Sequence, residues 1–187
     1  MTGEKIQKFM QLGGQSVAKS LSTGSVTQRQ LGARLLLSEV LEYVIHGLGI
    51  TPTVNGVKIT DADAVDYAVT DTPPDKTEML DGLADVAYTM YWNALAFGIP
   101  LEEAFQLVCD NNLEKFVKLS NWTNPIGELS PDTWHCGADI KWPEAVVRVE
   151  VVRVNKEYFA VGKDSSGKVR KPAHYRQVDL SQLLAAN

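Results

Sequence analysis

The sequence predicts an all-α core: a helical bundle completed by oligomerisation, with a small β-hairpin or meander near the C-terminus. Three observations predict it. Gln28 to Gly49 has no proline and carries Leu31, Leu35, Leu36, Val40, Leu41, Val44, Ile45 and Leu48, so a helix there is apolar around most of its circumference. Thr77 to Phe97 is a second such stretch, closed by Gly98, and a third runs from Pro100 to about Phe116 or Leu119. Alternation of period two appears only late, where Val147, Val149 and Val151 alternate with Arg148 and Glu150.

In chain order, Glu4 to Gly14 is a short helix carrying Ile6, Phe9 and Met10, stopped by Gly13-Gly14. SLSTGSVT then connects to the first long helix, which Gly47 and Gly49 end. Residues 50–75 form a loop insertion, with a hairpin in TPTVNGVKIT because Asn55-Gly56 tolerates the positive φ of a type I′ turn. Asp71-Thr72-Pro73-Pro74-Asp75 prepares the second long helix. The short Gly98-Ile99-Pro100 connection implies that the second and third long helices pack antiparallel. Residues 120–143 hold three Pro, two Gly and three Trp without periodicity. Residues 145–170 read as a two- or three-stranded meander, turning near Asn155 and at Asp164–Gly167, and LSQLLAA ends the chain in a short helical turn. The expected division is a helical core over 1–119 and, over 120–187, a Trp-rich loop, meander and tail packed on it.

Composition excludes several classes. With 187 residues, 44% hydrophobic and 22% charged, the chain has enough apolar material for one core. A net charge of −5 disfavours binding to long nucleic acid through its phosphates. Cys109 and Cys136 do not make a disulfide framework, the N-terminus lacks the apolar segment of a signal peptide, and no membrane-length apolar run occurs; a cytoplasmic location is expected. His135-Cys136 lacks the paired spacing of a zinc site, and Cys109 reads as a small buried residue. Trp122, Trp134 and Trp142 read as packing groups rather than base-stacking ones.

The acids on the two long helices carry the chemistry. At about 100° per residue, Glu39 and Glu42 lie about 60° apart with His46 between them, and Glu78, Asp81 and Asp85 fall within an arc of about 60° beside Tyr88 and Trp92. Neither helix supplies enough Lys or Arg to neutralise such stripes inside a bundle; Arg29 and Arg34 are the cations on the first. A hard divalent cation would, because Mg²⁺ prefers carboxylate oxygen. The alternative is that both stripes are solvated faces of amphipathic helices.

The ExxE pattern in LLLSEVLEYV and the acids of EMLDGLADVAYTMYWNALAFGIPLEEAFQLVCDNNLEKF resemble the all-α nucleoside triphosphate pyrophosphohydrolases, the MazG-like and phosphoribosyl-ATP pyrophosphohydrolase-like superfamily. FMQLGGQSV and KVRKPAHYRQVDL resemble flanking segments of its phage-type members. The resemblance covers residues 4–49, 76–119 and 168–180. It implies an enzyme that cleaves a nucleoside triphosphate to the monophosphate and pyrophosphate with two or three Mg²⁺ or Mn²⁺ ions. It implies Glu39, Glu42 and Asp85 as catalytic, and Glu39, Glu42, Asp81 and Asp85 as metal ligands. Gly82 stands where the family often has Glu, so Glu78 and Asp81 both stay open as the ligand nearest the metal, and Ser38 replaces another Glu. Asn112, Lys115, Lys171 and Tyr175 match residues that approach the metal or the triphosphate, the last two often across a subunit interface. The resemblance further implies a homodimer or homotetramer, no membrane association, and a purine deoxynucleotide, dGTP first, as substrate. A phosphoribosyl-ATP-type or house-cleaning enzyme of another nucleotide, a non-catalytic oligomeric scaffold, and a regulatory protein using the Trp-rich insert remain the alternatives.

Overall fold

The computed structural model describes residues 2–136 and 140–184. In chain order the elements are α1 (Thr2–Leu12), α2 (Val26–Glu42), β1 (Thr53–Val54), β2 (Val57–Lys58), α3 (Lys76–Phe97), α4 (Leu101–Leu113), β3 (Val117–Leu119), β4 (Gly127–Glu128), β5 (Arg148–Val154), β6 (Glu157–Lys163), β7 (Val169–Arg170) and α5 (Ser181–Leu184). They form two compact units. A helical unit comprises Ala18–Tyr88, and a sheet unit comprises Met1–Val17 with Thr89–Asn187. The boundary falls inside α3.

The expected all-α class is incorrect. With 43% helix, 14% strand and a five-stranded antiparallel sheet, the protein is mixed α/β. The reason lies in where apolar surface is buried. Val149, Val151, Phe159, Ala160 and Val161 of β5 and β6 are at most 6% exposed, whereas Leu35, Leu83 and Leu95 on the long helices are 53%, 63% and 84% exposed. The β segment is therefore the centre of a core and not an insert on a bundle. Burying each such Val or Phe contributes about 1.5–3 kcal/mol.

The sheet runs β3-β6-β5-β4, with β7 also on β6. Asn155 and Lys156, with φ of 50° and 67°, form the tight turn that aligns Val154 with Glu157 and Val151 with Ala160. Successive side chains of β6 point to opposite faces. Phe159 and Val161 join Leu12 of α1 and Phe116 in one buried cluster; Phe9 meets Phe116 edge-on at 5.1 Å. Ala160 joins Val151, Leu119 and Ile140 in the other, capped by Trp122 and Trp142. Because both faces are covered, Phe159 to Lys163 are all buried and the strand loses its polar alternation.

Trp122 and Trp142 pack on that cluster, and the indoles of the segment are tied to its backbone. Trp142 Nε1 donates to the Trp134 carbonyl (3.1 Å), Trp134 Nε1 to that of Leu129 (3.2 Å), and Trp122 Nε1 to that of Pro125 (3.3 Å). The third long helix stops earlier than expected, at Leu113. Glu114, Lys115 and Phe116 turn back on Asn111, Asn112 and Leu113, and Val117 enters the sheet opposite Ala160. The main packing partner of α4 is α1, where Lys5 Nζ reaches Asp110 (2.6 Å) and Gln106 (3.0 Å).

In the helical unit the Asn55-Gly56 hairpin forms as expected, with φ of 49° and 79°. One face of α2 packs against the single helical turn Ala62–Ala64, burying Leu41 and Ala62. Among the described residues no helix is long and apolar enough to cross a membrane.

Candidate functional site

Ser25 fixes the start of α2. Its Oγ accepts from Gln28 N (3.2 Å) while Gln28 Oε1 accepts from Ser25 N (2.8 Å), a reciprocal capping box. The helix then rotates regularly through Glu39 and Glu42, which are exposed about 160° and 100° round from the buried Leu41. Immediately after Glu42 the register changes. Tyr43–Gly47 is a π-turn, with Leu48 N donating to Tyr43 O at 2.9 Å. A π-turn advances less per residue than an α-helix, so His46 falls short of the position between Glu39 and Glu42 that a regular helix would give it. Gly47 permits the turn, since a Cβ there would lie 3.1 Å from Cδ2 of the Tyr43 ring. π-Turns inside helices are frequent at functional sites.

Asp75 starts α3, its Oδ1 accepting from the backbone N–H of Thr77 (2.6 Å) and Glu78 (3.3 Å). Glu78, Asp81 and Asp85 follow as one exposed stripe. Both long helices were expected to be mostly buried; in the single chain their acid and apolar faces are instead largely open. Among the described residues, no ion pair engages Glu39, Glu42, Glu78, Asp81 or Asp85, and no three His, Cys, Asp or Glu side chains come together as a cation site. The donor chemistry suits a hard cation, but one chain does not gather the donors into a coordination sphere. The charge distribution is lopsided. Ala18–Tyr88 holds ten acidic and five basic residues, so it carries the whole net charge of −5, and the sheet unit is neutral.

The other four candidates lie in the sheet unit. Lys115 Nζ donates to Asn112 Oδ1 (2.6 Å) at the end of α4 and sits 5.6 Å above the Phe9 ring. Lys171 Nζ lies 4.5 Å above the ring of Tyr175, whose hydroxyl donates to Asn111 Oδ1. Burial, then the neighbouring Glu114, raises the Tyr175 pKa above its ordinary value, keeping that hydroxyl a donor. Asn111 Nδ2 also donates to the Arg176 carbonyl (2.8 Å), so the tail is docked on the α4 of its own chain. Sequence reasoning missed Asn111. The signal was the Asn111-Asn112 pair at a helix end, where amides bond backbone groups outside the helix.

No protein family, curated protein or solved structure matches this chain.

Elsewhere, neither thiol is activated. Burial raises the pKa of both Cys109 and Cys136, away from the thiolate form a nucleophile needs.

Proposed function

We propose that this protein is a Mg²⁺- or Mn²⁺-dependent nucleoside triphosphate pyrophosphohydrolase that acts as a homo-oligomer in the cytoplasm, with dGTP as its first-choice substrate. One observation carries the reading: among the described residues, five exposed carboxylates on α2 and α3 form no ion pair, in a unit that holds all the net charge and beside apolar helix faces left open in the single chain. Glu39, Glu42, Asp81 and Asp85 would hold the cation once a second copy brings the helix faces together, and Glu78 is the alternative to Asp81. When bound, the metal supplies charge neutralisation on the phosphates and an acidified water.

The reaction adds a water oxygen to the α-phosphorus and breaks the α–β phosphoanhydride bond, so pyrophosphate leaves with the β-phosphorus. By the sequence resemblance, Lys115 and Lys171 would be the ammonium groups that meet the charge developing on the leaving oxygens. Asn112 orients Lys115 through the 2.6 Å hydrogen bond, and Tyr175 does so for Lys171 by placing its ring under the ammonium. The test is a panel of the eight common ribo- and deoxyribonucleoside triphosphates with Mn²⁺ or Mg²⁺, scoring pyrophosphate release. Turnover of none, with the protein folded and oligomeric, would leave the helices as a scaffold and refute the catalytic reading.

A further inference from the structure

The helical unit also holds a cavity of about 650 Å³, within the range of about 300–1,000 Å³ typical of small-molecule sites. One wall is α2 from Val26 to Leu37 and the other is the segment from Val65 to Pro74. On α2 the cavity faces Ala33 and Leu37, which lie about 120–180° round the helix from Glu39 and Glu42. The two sites therefore occupy opposite sides of one helix.

The lining combines apolar walls with polar groups of opposite sign. Leu37, Val65 and Pro73 supply apolar surface. Arg29 is held at the wall by Nη1, which donates to the carbonyls of Gly24 (3.0 Å) and Thr23 (3.4 Å), leaving Nε and Nη2 as donors among the described residues. Asp66 is exposed and forms no ion pair among the described residues. Gln30 Nε2 donates to the Tyr67 carbonyl (3.2 Å), which fastens the segment to the helix. Residues 65–70 belong to no helix or strand, and the Tyr67 hydroxyl is buried with no hydrogen-bond partner among the described residues. With one cation and one anion, the lining has no net charge to attract a phosphate group. It suits a neutral ligand with both an acceptor and a donor.

We infer that this cavity binds a neutral planar heterocycle of nucleoside size, its faces on the apolar walls, a ring acceptor on Arg29 and an exocyclic amino group on Asp66. The inference is independent of the catalytic reading, because it uses neither the carboxylate face nor a metal. The experiment is calorimetric titration of the full chain with nucleosides in EDTA. Saturable binding is expected, tighter for adenosine, guanosine and cytidine than for inosine, uridine and thymidine, which lack the amino group. Asp66→Asn should weaken the first group about tenfold, the scale of one hydrogen bond to a charged acceptor, and leave the second unchanged. Leu37→Trp fills the cavity and should abolish binding, with Ala33→Leu as the milder filling variant if the larger side chain prevents folding. Glu42→Gln should bind like the parent. No binding by any nucleoside at about 1 mM, the weak end of specific affinity, overturns the inference. So does binding that survives the filling variants, or binding that requires Mn²⁺ and disappears in Glu42→Gln.

Discussion

Replacing Gly162 by Ala tests how tightly the Trp-rich segment is built onto the sheet. A Cβ at this position would lie 2.5 Å from Cε3 and 2.7 Å from Cζ3 of Trp142, closer than packed carbon atoms come. Neither side yields easily. Gly162 is buried in the middle of the sheet, opposite Val149 on β5 and Arg170 on β7. The Trp142 ring is tethered through Nε1 to the Trp134 carbonyl, and Trp134 is tethered in turn to Leu129. Overpacking of a core costs about 1–3 kcal/mol, and losing the indole hydrogen bond as the ring moves adds about 1 kcal/mol. Gly162→Ala should therefore lose about 2–4 kcal/mol in urea unfolding followed by tryptophan emission, with the folded-state spectrum shifted to the red as Trp142 is displaced. Adding Trp142→Leu makes room and should recover part of the loss, so the two substitutions should be strongly non-additive. If Gly162→Ala unfolds at the same urea midpoint with an unchanged spectrum, the indole does not sit on β6 as described.

Three further outcomes follow from the charges. Asp164 accepts from Ser166 Oγ and N, from Lys168 N and from Arg170, which holds its pKa down at about 2 against an ordinary 3.8. A depressed carboxylate stabilises the fold above its unfolded pKa and loses that effect as pH falls through the folded one. Unfolding free energy should therefore drop between pH 3.8 and about 2, and Asp164→Asn should flatten the profile in that window. Glu42→Gln and Asp85→Asn should each lower kcat by at least about 10²-fold with the circular dichroism spectrum unchanged, the scale of losing one major electrostatic contributor; variants that unfold would mark these acids as structural. EDTA should abolish turnover and Mn²⁺ restore it, with pyrophosphate as the first phosphorus product by ³¹P NMR; a nucleoside diphosphate appearing first would mean that a different bond is cut.

Local signals in the sequence were reliable where the structure is local. The Asn55-Gly56 turn, the Asn155 turn and the stop at Gly98 are all set by residues that tolerate positive φ, and each is where the pattern placed it. The long helices are present because an apolar, proline-free run favours helix whatever surrounds it. The class was misread because β3 and β4 have almost no local signature. Val117 to Leu119 continues the apolar pattern of α4 and becomes a strand only through its pairing with Tyr158 to Ala160 far along the chain. Gly127-Glu128 is a strand only because β5 offers an edge. Of the candidate site, residues sharing one helix face were predictable from a fixed rotation per residue. His46 was not, because nothing in YVIHG announces a π-turn. The docking of Tyr175 on Asn111 joins residues 64 apart and has no local trace.

The last consequence concerns assembly, and it follows from placing acids and apolar groups on the same helices. Leu35 on α2 lies beside Glu39 and Glu42, and Tyr88 and Trp92 on α3 lie beside Asp81 and Asp85. These apolar groups are 53%, 71% and 57% exposed in the single chain. Covering them with a second copy removes water from the adjoining carboxylates as well. Each charge so buried costs several kcal/mol unless it is matched, and the unit has only five basic residues for ten acids. Hydrophobic burial would therefore favour association while the acids oppose it, and on the proposed reading a divalent cation would shift the balance by binding the assembled form better than the separate chains. Light scattering should show a dimer or tetramer whose dissociation constant falls at least tenfold when Mn²⁺ replaces EDTA, about 1.4 kcal/mol of linkage. Glu39→Gln with Glu42→Gln should associate tightly without metal, because the opposing charge is gone. A mass that is monomeric under every condition, or an assembly indifferent to both Mn²⁺ and these substitutions, would separate the apolar faces from the acids and remove the reason for placing the cation between copies.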